Sequence, residues 1–145
     1  MLSFDGINLV VGDMDASVAF YRLLGLTVPD AEPDWQQHHR NVELDGGSLD
    51  LDSIVFARQW NRGWPGDATA VRGAVGVIGL RVATRDDVDA LFACVVAAGH
   101  RAQQPPYDAF WGARYAVVED PDGNAVGLMS PSDPGKRSFQ GAPAA

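Results

Sequence analysis

Cysteine is almost absent: Cys94 is the only one in 145 residues. No disulfide can close within one chain, and there is no cysteine cluster to hold zinc or an iron–sulfur centre. The surrounding run, LFACVVAAG, is apolar with helical spacing, which predicts a buried structural thiol rather than a nucleophile. Basic residues are also in deficit, with 11 Lys and Arg against 19 Asp and Glu and a formal charge of −8. Such a chain repels phosphate backbones and anionic membranes, so neither nucleic acid nor a membrane is an expected partner; cationic or neutral ligands suit it better. No apolar run approaches the roughly 20 residues that span a bilayer. The opening MLSFDGINLVVGD lacks a basic segment followed by a long apolar stretch, so no secretory leader is expected and the expected location is cytoplasmic. No nucleophile-elbow motif is present to support a Ser-His-Asp triad.

What the chain does have is a 46% hydrophobic content, enough for a compact domain with a real core. Residues 7–11, INLVV, read as a strand, and Asp13 or Asp15 can cap the helix that follows through Val18, Phe20, Tyr21 and Leu24 to Gly25. Leu26-Thr27-Val28 begins a second strand, broken at Pro29. Residues 40–44 and 48–52 read as strands joined by the turn Asp45-Gly46-Gly47. From Ala57 to Gly76 regularity is expected to disappear. The same order then repeats. Residues 77–82 form a strand, Asp86-Asp87 open a helix running to Gly99, and Arg101-Ala102 lead into Pro105-Pro106. Strands at 114–119 and 125–129 flank Asp120-Pro121-Asp122-Gly123-Asn124. That segment lacks the twelve-residue ladder of a calcium loop and reads as a hairpin connection.

The repeat holds residue against residue. Ile7, Leu9 and Val11 stand 71 positions before Ile78, Leu80 and Val82, and Phe20 stands 71 before Leu91. DGGSLDL at 45–51 matches DGNAVGL at 122–128 at an offset of 77, as a longer helix and loop in the second copy require. The order implies an α+β fold of two tandem βαβββ modules. The domain is expected over residues 1–131, with module one at about 4–56, a linker or lid at about 57–75, module two at about 76–131, and a flexible tail at 132–145.

INLVVGDMDASVAFYRLLGL and FWGARYAVVEDPDGNAVGLMSP, at this separation, resemble the glyoxalase, bleomycin-resistance and extradiol-dioxygenase (vicinal oxygen chelate) superfamily over residues 4–131. The resemblance implies modules that curl into a mixed-sheet cup with helices outside, pairing within a chain or across a homodimer. It also implies positions for the family's divalent metal at Gly6, Asp50, Val77 and Gly127. Three of these carry no donor side chain, so no metal and no cofactor are expected. His38 and His39 are adjacent on a strand and point to opposite faces, so they read as edge or loop histidines rather than a replacement pair, although one of them is free to reach a ligand in the cup. His100, just beyond a helix end, reads as an exposed cap.

If Ile7, Leu9 and Val11 pack under the helices, strand alternation turns Asn8, Asp50, Asp52 and Arg81 toward the cup. Trp35, Trp60, Trp64, Tyr107, Phe110 and Trp111 sit in loops or at strand ends, where they can stack on a flat ligand. These ten residues are the expected ligand-binding set, and no catalytic residue is assigned. The expected function is metal-independent binding of a planar or cationic small molecule, as in the bleomycin-resistance branch that confers antibiotic resistance by sequestration. The alternatives are a glyoxalase-type lyase or isomerase, or a dioxygenase-like enzyme, with displaced metal ligands. A metal-free enzyme built on Asp50 is a third reading.

Overall fold

A computed structural model describes residues 1, 4–63 and 76–138, so the expectation for Trp64 and for most of the linker lies outside the described residues. The chain divides into two compact units, Met1–Gly73 and Ala74–Ala145.

In the first unit, β1 (Gly6–Val11) leads into α1 (Met14–Leu23), and β2 (His39–Leu44) and β3 (Gly47–Ser53) form a hairpin followed by α2 (Ile54–Trp60). Asp13 caps α1 by accepting from the Ala16 amide at 3.0 Å, as its side chain and extended backbone allow. Met14, Ser17, Val18 and Tyr21 are buried at helical spacing, with Phe20 beside them and equally inaccessible. The sheet order is β1-β3-β2, with β1 parallel and β2 antiparallel to β3. Its buried residues include Val11, Val42, Leu49 and Leu51.

Two expectations for this unit need correction. Leu26–Val28 is not a strand, because its backbone groups are satisfied elsewhere. The Leu26 amide bonds the Tyr21 carbonyl, and Arg22 donates twice to the Val28 carbonyl at 3.0 and 2.6 Å. The buried Arg40 guanidinium then holds the Pro29 and Gln36 carbonyls, fixing the following loop. The first sheet therefore has three strands. Regularity also continues past Ala57: Ser53 caps α2 by accepting from the Phe56 amide at 3.1 Å, and Ala57 is fully buried.

In the second unit, β4 (Val77–Arg81), α3 (Arg85–Ala97), β5 (Ala102–Asp108), β6 (Arg114–Glu119) and β7 (Ala125–Met129) complete the βαβββ order. The sheet order is β4-β7-β6-β5, parallel between β4 and β7 and antiparallel elsewhere. Thr84 and Asp87 form a reciprocal capping box at the start of α3. Pro105 and Pro106 are tolerated because β5 is an edge strand whose register slips on either side of Gln104. Asp120 accepts from the Asp122 and Asn124 amides and from the Asn124 side chain, and Gly123 takes φ +83°, so this segment is a structural hairpin as expected. Cys94 is exposed, contrary to expectation. Only Val88 and Val95 of α3 are buried, so the face that packs is narrower than the apolar content suggests. Beyond the second sheet, the Asp133 amide bonds the Gly112 carbonyl at 3.1 Å and the Ser138 amide bonds the Phe110 carbonyl at 3.0 Å. Among the described residues, no helix is long and apolar enough to cross a membrane.

Arg114 ties β6 to α3 through a two-pronged contact with Asp89, at 3.0 and 2.7 Å, and reaches Asp108 at 3.2 Å. The hydrogen bond from Arg114 holds the Asp89 carboxyl below the usual carboxylate range. A depressed carboxyl contributes stability above its unfolded value and loses it as pH falls through the folded one. Asp89 is 46% exposed, which limits this contribution to about 0.5 kcal/mol. Urea titrations of Asp89→Asn should therefore fall below the parent by about that amount at neutral pH. The two curves should converge in acid; a gap that persists there would show that packing, not charge, is responsible.

Candidate functional site

In the second unit, register sets which side chains share a sheet face. Val77, Gly79 and Arg81 of β4 lie opposite Ala125, Gly127 and Met129 of β7, and Tyr115 and Val117 of β6 lie opposite Met129 and Gly127. A pocket of about 400 Å³ opens there, lined by Val77, Gly79, Leu80, Arg81, Trp111, Tyr115 and Met129. Trp111 is brought in by the 109–113 turn, in which the Gly112 amide bonds the Ala109 carbonyl and the Ala109 amide bonds the Ala113 carbonyl. Its ring meets Tyr115 at 5.4 Å, Phe110 at 5.1 Å and Tyr107 at 6.5 Å, all edge-on. The result is an aromatic wall beside a guanidinium.

Two polar groups here lack protein partners among the described residues. The buried Trp111 Nε1 has no hydrogen-bond acceptor among the described residues. Arg81 has no carboxylate partner among them within salt-bridge distance. Burial, and then the neighbouring Tyr107, push the Tyr115 hydroxyl above the usual phenol range, so it remains a neutral donor at ordinary pH.

The first unit carries a polar cluster instead. Asp52 is fully buried; its Oδ2 accepts from Asn8 Nδ2 at 2.8 Å and its Oδ1 meets His39 Nδ1 at 2.6 Å. Asp50 accepts from Asn41 at 2.5 Å. Trp35 packs edge-on against Phe56 at 5.4 Å, and His39 lies 5.2 Å from the same ring. His38 bonds Ser53 Oγ at 3.0 Å. Trp60 ends α2 and is 47% exposed.

Of the ten expected ligand-binding residues, Arg81 and Trp111 share the second unit's pocket, with Tyr107 and Phe110 against Trp111. Asn8, Asp50 and Asp52 share one face of the first sheet, and Trp35 stands at Phe56 of α2. Asp52 is too deep to touch a ligand directly and acts on its surroundings through Asn8 and His39. The sequence reading missed Tyr115 and left open whether His38 or His39 reaches the cup. Register places Tyr115 opposite Met129 and His39 opposite Asp52.

The metal positions implied by the family do not fit a divalent ion. A Cβ at Gly6 would stand 2.6 Å from Ser48 Oγ and 2.7 Å from the Ser48 carbonyl, so the backbone itself fills that place. A Cβ at Gly127 would stand 2.6 Å from the Tyr115 hydroxyl. Val77 is apolar, and Asp50 is engaged with Asn41. Among the described residues, no group of three or more His, Cys, Asp or Glu side chains converges.

Comparison with known proteins agrees with the fold. A glyoxalase-related enzyme from Fulvimarina pelagi aligns at TM-score 0.72 and 22% identity, covering 90% of this chain and 89% of its own. A glyoxalase/bleomycin resistance protein/dioxygenase from Nocardioides aligns at TM-score 0.70 and 25% identity, covering 97% and 91%. A lactoylglutathione lyase from Agrobacterium tumefaciens aligns at TM-score 0.62 and 21% identity, covering 90% and 94%. No curated protein matches the chain. The family profile matches residues 3–128, and with the paired sheets and repeated hairpins this makes the chain a member of the Glyoxalase/Bleomycin resistance protein/Dioxygenase superfamily.

Proposed function

We propose that this protein binds a flat small organic molecule without a divalent metal, in the pocket formed by Arg81, Trp111, Tyr115 and Met129. The observation that carries this reading is the juxtaposition of a guanidinium, unpaired among the described residues, with an aromatic wall over a cavity of about 400 Å³. That volume lies within the range typical of small-molecule sites. The lining includes Arg81 and no carboxylate, so a ligand edge bearing a carboxylate or carbonyl is favoured over a cation. Trp111 supplies ring contact, the Tyr115 hydroxyl donates, and Met129 adapts to the ligand's shape. Binding without turnover suits sequestration, including that of an antibiotic. The family's pairing of modules favours a two-fold homodimer, which sedimentation at micromolar concentration tests.

Two measurements test the reading. Elemental analysis of protein purified without added metal should find no stoichiometric transition metal; one bound metal per chain would favour the lyase or isomerase reading instead. A tryptophan-fluorescence screen of aryl carboxylates, naphthoate among them, should yield a ligand whose affinity falls about tenfold in Trp111→Ala. Unchanged affinity in that variant, with the fold intact, would remove the pocket from consideration.

A further inference from the structure

The first unit carries a hollow of its own, apart from the pocket in the other unit. Its volume is about 300 Å³, and it is lined by Asp34, Trp35, His38, Val55, Phe56 and Gln59. Two segments supply the walls, and hydrogen bonds hold both in place. In the first, a 3-10 turn over Pro33–Trp35 lets the Glu32 carbonyl accept from the Trp35 and Gln36 amides at 2.8 and 3.1 Å. Arg40 anchors the end of that turn at the Gln36 carbonyl. In the second, Ser53 caps α2 and so sets the position of Phe56. The Ser53 hydroxyl also meets His38 Nδ1 at 3.0 Å, and its amide bonds the His38 carbonyl at 2.9 Å, which ties the two segments together.

The Trp35 and Phe56 rings lie 5.4 Å apart at 84°, which makes a right-angled aromatic corner. Trp35 is 47% exposed and Val55 58%, so the corner is open to solvent. A ring face is the negative side of its quadrupole and attracts a cation placed over it. Asp34, beside Trp35 in sequence, adds a full negative charge. Among the described residues it has no Lys, Arg or His partner within salt-bridge distance. The lining contains no Lys or Arg, since Arg58 of α2 stays outside it. An anion would be repelled here, and a neutral ligand would strip water from the carboxylate without replacing it. The net charge of −8 draws cations from further away.

We propose that this hollow binds a compact methylated ammonium head carried by a free small molecule. Trp35 and Phe56 form the aromatic corner and Asp34 supplies the counter-charge. Methyl groups on the nitrogen leave no N–H that needs an acceptor, so ring faces and one carboxylate suffice to replace water. The charge preferred here is opposite to the one that Arg81 favours in the second unit, so neither site's reading depends on the other's.

The probe is choline, with 3,3-dimethylbutan-1-ol as the same shape carrying carbon in place of the charged nitrogen. Ligand-observed NMR should show the choline N-methyl signal moving upfield under the Trp35 ring current, with affinity about fivefold or more above that of the alcohol. Trp35→Leu, which keeps an apolar side chain, should remove the upfield shift and weaken choline about two- to thirtyfold. Asp34→Asn changes only an exposed charge; it should weaken choline about two- to fivefold and flatten its dependence on salt. Trp60→Leu alters another exposed tryptophan of the same unit, one outside the lining, and should bind choline as the parent does. The proposal is overturned if the alcohol binds as tightly as choline, or if Trp35→Leu and Asp34→Asn, with unchanged melting midpoints, both bind choline like the parent. An equal loss in Trp60→Leu would also overturn it. Sedimentation of the protein with phosphatidylcholine vesicles would overturn the assignment to a free compound.

Discussion

Gly112→Ala is expected to lower unfolding stability by about 2–4 kcal/mol, near the upper end for a change of one methyl group. Gly112 has φ +95°, where an L side chain is strained by about 1–2 kcal/mol. An alanine Cβ would also fall on the carbonyl oxygen of Asp133. That oxygen belongs to backbone held by its own bond from the Asp133 amide to the Gly112 carbonyl, which also accepts from Arg85 at 3.0 Å. Relief therefore requires moving a chain segment rather than a rotamer. Gly123 provides the comparison: it has φ +83° but nothing within 4 Å of an added Cβ. Gly123→Ala should cost only the backbone strain, about 1–2 kcal/mol. Urea unfolding of both variants measures the difference. Equal losses would show that the 132–138 segment yields freely and that only φ matters. Because Trp111 precedes Gly112, tryptophan fluorescence should shift in Gly112→Ala and not in Gly123→Ala.

Phe20→Ala is expected to cost about 3–5 kcal/mol, combining lost apolar transfer with the cavity left behind. Phe20 is fully buried and meets Tyr21 edge-on at 5.0 Å, so no solvent can fill the space it vacates. Phe110 is the matched control. It is 58% exposed, and Phe110→Ala should stay within about 0.5 kcal/mol of the parent. Thermal or urea melts decide the matter: similar losses for both would mean that Phe110 is covered in solution by something beyond the described chain.

Much of this architecture was legible from residue order. The strands at 114–119 and 125–129 appear at the expected residues, and those at 7–11, 40–44, 48–52 and 77–82 appear within one residue at each end. Alternating apolar residues, flanking turn glycines and capping aspartates all point to the same local answer there. Leu26–Val28 read as a strand because a β-branched pair follows a helix stop, but strand formation needs a partner edge. Its last carbonyl went instead to Arg22, and the next one, at Pro29, to Arg40, which no strand pattern foretells. Cys94 read as buried because its neighbours are apolar, yet a helix buries only the stripe that meets the sheet, and Cys94 lies off it.

The division falls between local and non-local interactions. The sequence by itself determined the two-module α+β fold, the family and the unfitness of Gly6, Val77 and Gly127 as metal ligands. These depend on periodicity, turn chemistry and the presence or absence of donor atoms, all of which are written residue by residue. Tertiary structure alone decided that Tyr115 and Trp111 meet at Arg81, and that His39 meets a buried Asp52. Those meetings depend on register across strands and on one loop's path, and a register shift of a single residue would turn each strand side chain among them to the opposite face.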